Sequence, residues 1–97
     1  MIIRIFRVEI DPTRREAFEQ GFYTISVNAV KDHSGFISCD IGSPTKWSPN
    51  NYVMITKWRD EEAIVGFAGE NWNVPVIPHG MESFATSCSV EHFSQKE

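Results

Sequence analysis

The amino-acid sequence predicts an α+β fold, in which a four-stranded antiparallel sheet carries two helices on one face. Three observations predict it: alternating apolar runs typical of strands, two segments with helical spacing of apolar residues, and the order βαββαβ. This order is ferredoxin-like. With 97 residues, 41% of them hydrophobic and 23% charged, we expect one domain over residues 1–97, with 94–97 as a loose tail.

The first predicted strand, Ile2–Ile10, has apolar side chains on both of its alternating faces. Ile3 and Ile5 share one face, and Phe6, Val8 and Ile10 share the other. Such a strand is covered on both sides in a folded protein.

The first helix is predicted to begin at Thr13, which forms a capping-box pattern with Glu16. Its apolar stripe should face the sheet, and Gly35 should end it. The predicted stripe consists of Phe18, Phe22, Ile25 and Ala29.

The second half of the chain repeats the alternation of strands and helix. We expect strands at 36–42, 52–58 and 81–93, and a short helix that Asp60 caps and Gly69 closes. Residues 42–51, which include Trp47, have loop composition. Residues 71–80 cannot form a continuous helix because they contain two prolines, so they are predicted to be a linker or lid.

Two helices on one face leave the other face of the sheet bare, although the first and third strands supply apolar residues to both. A second copy of the chain would cover it, so we expect a homodimer. In the ferredoxin-like strand order the second and fourth strands are opposite edges. Cys39 and Cys88 should therefore lie far apart as free thiols.

The net charge of −4 argues against nucleic acid and anionic membrane surfaces as partners. Arg4 and Arg7 interrupt the apolar N-terminal run, so neither a signal peptide nor a membrane span is predicted. A cytoplasmic location is the resulting expectation.

Residues 52–64, a strand ending in Trp58 followed by a capped helix containing Glu62 and Ala63, resemble the central signature of the antibiotic biosynthesis monooxygenase family. Residues 67–70 and 90–93 resemble a largely uncharacterised branch of it. The resemblance implies a dimeric α/β barrel with a pocket between the sheet and helices of each subunit. Some relatives oxidise polycyclic aromatic substrates without metal or flavin, and others degrade haem, so the fold alone does not set the chemistry.

A cofactor-free oxygenase needs a base or hydrogen-bond donor in a dry pocket, and histidine suits that role. The predicted catalytic residues are His79, in the proline-containing segment, and His92, at the end of the last strand. The ordinary alternatives are an exposed loop histidine and a histidine bonded at the sheet edge. His33 is assigned instead to the C-terminal end of the first helix, where its charge would be favourable.

The predicted substrate-binding residues are mainly aromatic: Trp72, Trp58, Phe67, Phe6 and Arg7. Core packing is the alternative for both tryptophans, and surface ion pairing with Glu9 or Glu91 is the alternative for Arg7.

Three functions follow as hypotheses. The first is a small cofactor-independent monooxygenase acting on an aromatic or quinone-like molecule, with no cofactor and no metal. The second is a non-catalytic barrel that binds a small hydrophobic ligand. The third is haem degradation, although two markers of that branch are replaced: Phe6 and Arg7 stand where it has asparagine, and Phe67 stands where it has tryptophan.

Overall fold

The computed structural model describes residues 1–77 and 81–96, and its sheet is antiparallel with the strand order β2-β3-β1-β4. This confirms the predicted order, in which β2 and β4 are the two edges. Cys39 and Cys88 therefore lie on opposite edges, and both are free thiols. The strands are β1 (Ile2–Ile10), β2 (Phe36–Gly42), β3 (Asn51–Trp58) and β4 (Ala85–Ser94).

The first helical region is built from four consecutive pieces. Its cap is Asp11, two residues before the predicted Thr13: the Asp11 carboxylate accepts a 3.0 Å hydrogen bond from the Thr13 backbone N–H. The pieces are a 3-10 turn (Pro12–Arg14), α1 (Arg15–Gly21), a π-helical turn (Phe22–Ser26) and α2 (Val27–Lys31).

The π-helical turn moves the buried stripe of this helix by one residue. Phe18 and Phe22 are buried as predicted, but Ser26 and Val30 follow them inward. Ile25, which ideal helical spacing places on the sheet, is 42% exposed. A π-helical turn holds more residues than an α-helical turn, so every later side chain rotates relative to the sheet.

The second helix, α3 (Glu61–Ala68), matches its sequence signals. The Asp60 side chain accepts a 3.0 Å hydrogen bond from the Ala63 backbone N–H, which satisfies one of the free donors of the first turn. Gly69 ends the helix with a φ of 87°, a conformation that favours glycine. No helix within the described residues has the length and apolar character needed to cross a membrane.

The two faces of the sheet differ in what covers them. The even-numbered residues of β1 from Arg4 to Ile10 face the helices and are buried, together with Tyr52 and Trp58 of β3. The opposite face stays partly exposed, and an ion pair between Arg7 and Glu91 lies on it. Its apolar residues are Ile3, Ile5, Val53, Ile55 and Phe93.

Two irregularities in the strand pairing change which side chains share a face. Ile37 has no partner in the β2–β3 ladder and is 47% exposed, so it does not share the packing of Ile41. Near the start of β4 the register shifts so that Ala85 pairs with Ile10 and packs on the core. The chain before Ala85 forms a 3-10 turn where the sequence predicts strand from residue 81.

Candidate functional site

A row of three polar side chains crosses the helix-facing side of the sheet. Arg4 on β1 pairs with Thr56 on β3 and with His92 on β4. Because side chains alternate along a strand, all three project to the helix side with Phe6 and Trp58. Arg4 is only 3% exposed, so this row places a guanidinium inside the protein.

The Arg4 guanidinium holds the segment after α3 against the sheet. Its Nη1 donates to the Trp72 carbonyl oxygen at 2.7 Å, and its Nη2 donates a longer bond of 3.4 Å to the Val74 carbonyl oxygen. The guanidinium carbon lies 5.6 Å from the centre of the Phe67 ring, within cation–π range. Burial lowers the pKa of Arg4 to about 10, so the side chain is still a cation at neutral pH.

The same Nη1 lies 2.8 Å from Nε2 of His92. Arginine can only donate, so Nε2 must accept, and the neutral ring then carries its proton on Nδ1. Burial first, and the Arg4 charge second, lower the pKa of His92 to about 4. At neutral pH the imidazole is therefore uncharged, a weak base, and able to donate a hydrogen bond through Nδ1.

Aromatic rings surround this pair. The Trp72 ring meets the His92 ring edge to face, with centroids 4.5 Å apart. Phe67 stacks on Trp58 at 5.3 Å, and Trp58 is fully buried with its Nε1–H donating to Thr56 Oγ1 at 2.9 Å. We call Arg4, Phe67, Trp72 and His92 the Arg4 cluster.

The structure brings three of the sequence-predicted site residues together and separates the others. His92, Trp72 and Phe67 belong to the Arg4 cluster, and Trp58 lies beneath Phe67. Phe6 packs in the neighbouring core group with Val8, Phe18, Phe22 and Met81. Arg7 lies on the opposite face of the sheet, paired with Glu91. His79 lies outside the described residues.

Two of the cavities lie near the Arg4 cluster and Phe6. The first, between the sheet and the first helical region, has a volume of about 10 Å³, which is room for at most one water molecule. Its walls include Phe6, Ser26, Ile77 and Met81. The second is an open pocket of about 180 Å³ beside the Arg4 cluster. It is lined by Ile2, Glu61, Trp72, His92, Phe93 and Ser94.

Within residues 1–77 and 81–96, no three His, Cys, Asp or Glu side chains converge to a point where they could hold a metal ion.

Arg4 is a site residue that the sequence did not predict: in the sequence it only interrupts the N-terminal apolar run. A usable signal was present, because Arg4 has the same parity in β1 as Phe6 and Val8, whose side chains face inward. His92 likewise shares its parity with Val90 and Cys88. The alternation of side chains along each strand places Arg4 and His92 on the same face of the sheet. Their direct contact depends on the β1–β4 register, which cannot be read from the sequence.

Comparisons with known proteins agree on the fold. A family model described as antibiotic biosynthesis monooxygenase matches residues 1–70. The heme-degrader MhuD from Mycobacterium tuberculosis, solved with two hemes in its active site, is 20% identical, with a TM-score of 0.72 over 98% of this chain and 95% of that chain. PA3566 from Pseudomonas aeruginosa is 16% identical, with a TM-score of 0.73 over 99% and 94%.

A third solved structure, that of an antibiotic biosynthesis monooxygenase, is 13% identical, with a TM-score of 0.72 over the full length of both chains. At these identities the structural likeness shows a shared fold. A search among curated proteins gives no match.

Proposed function

Because the chain belongs to the antibiotic biosynthesis monooxygenase family, we propose that it is a small cofactor-independent monooxygenase acting on an aromatic or quinone-like molecule. The observation that supports this is the Arg4 cluster. It combines a buried cation, an imidazole and two aromatic rings beside an open pocket. These are the groups that hold an aromatic ring and act on its oxygen substituent.

The reaction takes all of its electrons from the substrate and dioxygen. One oxygen atom replaces hydrogen on a ring carbon and becomes a carbonyl or hydroxyl group of the product. The other oxygen atom leaves as water with two hydrogens of the substrate. Loss of a proton from the substrate gives the electron-rich anion that reacts with dioxygen, and this proton passes to water.

The chain's own groups bind and orient the substrate. Trp72 offers an aromatic surface to the pocket, and Arg4, buried behind His92, provides a positive charge next to it. His92 lines the pocket and is in contact with Arg4. His79 remains a second candidate on sequence grounds.

The pocket volume favours a substrate with one ring. At about 180 Å³ it is smaller than the roughly 300 Å³ at which typical drug-sized pockets begin. A quinol, with one ring, suits this volume better than an anthrone, which has three fused rings. We therefore expect quinols to be used before anthrones.

The proposed assembly is a homodimer in the cytoplasm. The face of the sheet opposite the helices carries five apolar side chains around the Ile5–Ile55 pair, and Phe93 on it is 48% exposed. Two such faces packed together would form the barrel, with an interface of at least about 1,200 Å² in total. Free Cys39 and Cys88 fit a reducing compartment.

Oxygen uptake by the purified protein with a panel of quinols and anthrones tests the proposed reaction. We expect uptake above the uncatalysed rate, reduced at least about tenfold in the Arg4→Gln and His92→Phe variants. Arg59→Gln is the matched control, because Arg59 is an exposed arginine that pairs with Asp60. Uptake equal in all variants, or equal to buffer, would refute the proposal.

A non-catalytic ligand-binding role is the second candidate, and the open pocket of about 180 Å³ beside the Arg4 cluster supports it. The cavity between the sheet and the first helical region, at about 10 Å³, is too small for such a ligand, so we expect it in the open pocket. Native mass spectrometry of freshly purified protein would then show a retained small molecule. A retained ligand without oxygen uptake supports binding over catalysis.

Haem degradation is the third candidate, suggested by the likeness to MhuD. Phe6 and Arg7 stand where that branch carries asparagine, Phe67 stands where it carries tryptophan, and the two cavities beside the Arg4 cluster and Phe6 are about 180 and 10 Å³. Titration with haem tests this reading directly. The absence of a Soret shift would eliminate it.

A further inference from the structure

The partners of the Arg4 side chain leave its charge uncompensated among the described residues. They are two carbonyl oxygens, an imidazole nitrogen and the face of a phenyl ring, all of them neutral. The described ion pairs instead join Arg7 to Glu91 and Arg59 to Asp60. A buried cation without a counterion is costly, and an anion bound nearby would lower that cost.

His92 is the group that connects this charge to the pocket. The hydrogen bond from Arg4 occupies Nε2, so the only ring nitrogen that can donate is Nδ1. No described residue accepts a hydrogen bond from Nδ1, and His92 lines the pocket of about 180 Å³. The ring is therefore polarised by a cation on one side and has a free donor on the other.

We propose that Arg4 and His92 together form an oxyanion-binding pair, and that the ligands of this pocket are aromatic enols and phenols bound as their anions. Arg4 is a positioning residue that fixes the proton on Nδ1. His92 donates that proton to the anionic oxygen in a hydrogen bond. A charge-assisted bond of this kind is about twice as strong as a neutral one.

For its catalytic meaning this inference rests on the proposed function, and within that function it makes His92 a hydrogen-bond donor instead of a general base. A general base must accept a proton, but Nε2 is occupied by a donor. A donor instead stabilises the enolate or phenolate that reacts with dioxygen, as preorganised dipoles do for other oxyanions. Of the two predicted roles, base and hydrogen-bond donor, this inference assigns His92 the donor role.

The charged groups around the pocket set which anions fit. Arg4 is the cation on β1, and Glu61 in the first turn of α3 lines the same pocket. Glu91, next to His92 on β4, points to the opposite face, where it pairs with Arg7. Since Glu61 repels anions, the site should prefer a single phenolate oxygen over a ligand with several negative charges.

The tautomer of His92 in the unmodified protein is the first test. Long-range ¹H–¹⁵N correlation spectra distinguish a proton on Nδ1 from one on Nε2. We expect the Nδ1–H form at neutral pH, and loss of this preference in Arg4→Met. An Nε2–H ring in the unmodified protein would overturn the proposal whether or not any variant folds.

Binding of 4-nitrophenol, whose anion absorbs visible light, is the second test, and it needs no turnover. We expect the pKa of the bound phenol to fall by about one unit, which means that the phenolate binds about tenfold more tightly than the neutral form. The shift should vanish in His92→Phe and grow in Glu61→Gln. Binding of 4-nitroanisole, which has no acidic hydroxyl, should be unchanged by these substitutions.

The outcomes separate this inference from the proposed function. An Nδ1–H tautomer and preferred phenolate binding without oxygen uptake would support the anion site and refute the monooxygenase. Equal binding of phenol and phenolate would refute the anion site, even if quinols are oxidised.

Discussion

Nη1 of Arg4 lies 2.8 Å from Nε2 of His92, across two paired strands of one sheet. Because the arginine is a buried cation, the histidine beside it cannot readily gain a second positive charge. The pair therefore keeps an imidazole neutral, and its acceptor nitrogen satisfied, at every pH above about 4.

The stability of the protein should fall in mild acid because of His92. The pKa of His92 is about 4 in the folded state and about 6.5 when the chain is unfolded, so the unfolded state binds more protons between these values. The stabilisation is complete above about pH 6.5 and is lost as the pH falls toward 4.

Urea unfolding of the unmodified protein and His92→Gln measures this effect, because glutamine can accept the Arg4 hydrogen bond without titrating. Between about pH 7.5 and pH 4.5, the unmodified protein should lose on the order of 1–2 kcal/mol relative to the variant, after allowance for solvent screening of a partly exposed ring. Parallel pH profiles would contradict the buried neutral imidazole.

Thr56 holds Trp58, the residue on which Phe67 of the Arg4 cluster packs. Its hydroxyl accepts the Nε1–H of fully buried Trp58, which stacks on Phe67. Thr56→Val leaves that indole N–H without a partner and should lower the free energy of unfolding by about 1–2 kcal/mol. Thr56→Ser retains the acceptor and should lose less. Chemical denaturation compares them, and equal losses would show that the hydrogen bond contributes nothing.

Gly66 and Gly69 offer a matched test of backbone conformation at the end of α3. A Cβ at either position would meet no atom within 4 Å, so packing does not distinguish them. Gly66 is helical, and Gly66→Ala should stabilise by about 0.5–1 kcal/mol. Gly69 has a φ of 87°, and Gly69→Ala should destabilise by about 1 kcal/mol. Thermal unfolding should move in opposite directions for the two variants.

The second face of the sheet tests the proposed homodimer. Ile55 lies at the centre of that face, opposite Ile5, so Ile55→Lys should convert dimers to monomers in sedimentation velocity experiments. Ile37→Lys is the control, because Ile37 is an exposed isoleucine at a bulge on the edge strand β2. A monomer in the unmodified protein would contradict the barrel.

The sequence predicts the presence of the four strands and both ends of α3 because these depend on local chemistry. Asp60 and Gly69 bound α3 through an acceptor at one end and a positive φ at the other, and both signals are visible in the residue types. The two-sided apolar character of β1 is also local. Strand order then follows from the βαββαβ sequence of elements.

The register of the first helix could not be predicted because a π-helical turn has no clear sequence signature. Because of this turn, Ser26 faces the core and Ile25 faces solvent, whereas ideal α-helical spacing predicts that Ile25 faces the core. The site was only partly predicted for a similar reason. His92, Trp72 and Phe67 could be selected by residue type, but the Arg4 contact joins residues 88 positions apart.

Oxidation of a quinol under ¹⁸O₂ tests the central claim most directly. Mass spectrometry of the product and of the water measures where each oxygen atom goes. A cofactor-independent monooxygenase places one ¹⁸O atom in the product and the other in water, without added metal or reductant, and the activity falls in Arg4→Gln. A product without ¹⁸O, or equal labelling in buffer alone, would contradict the assignment.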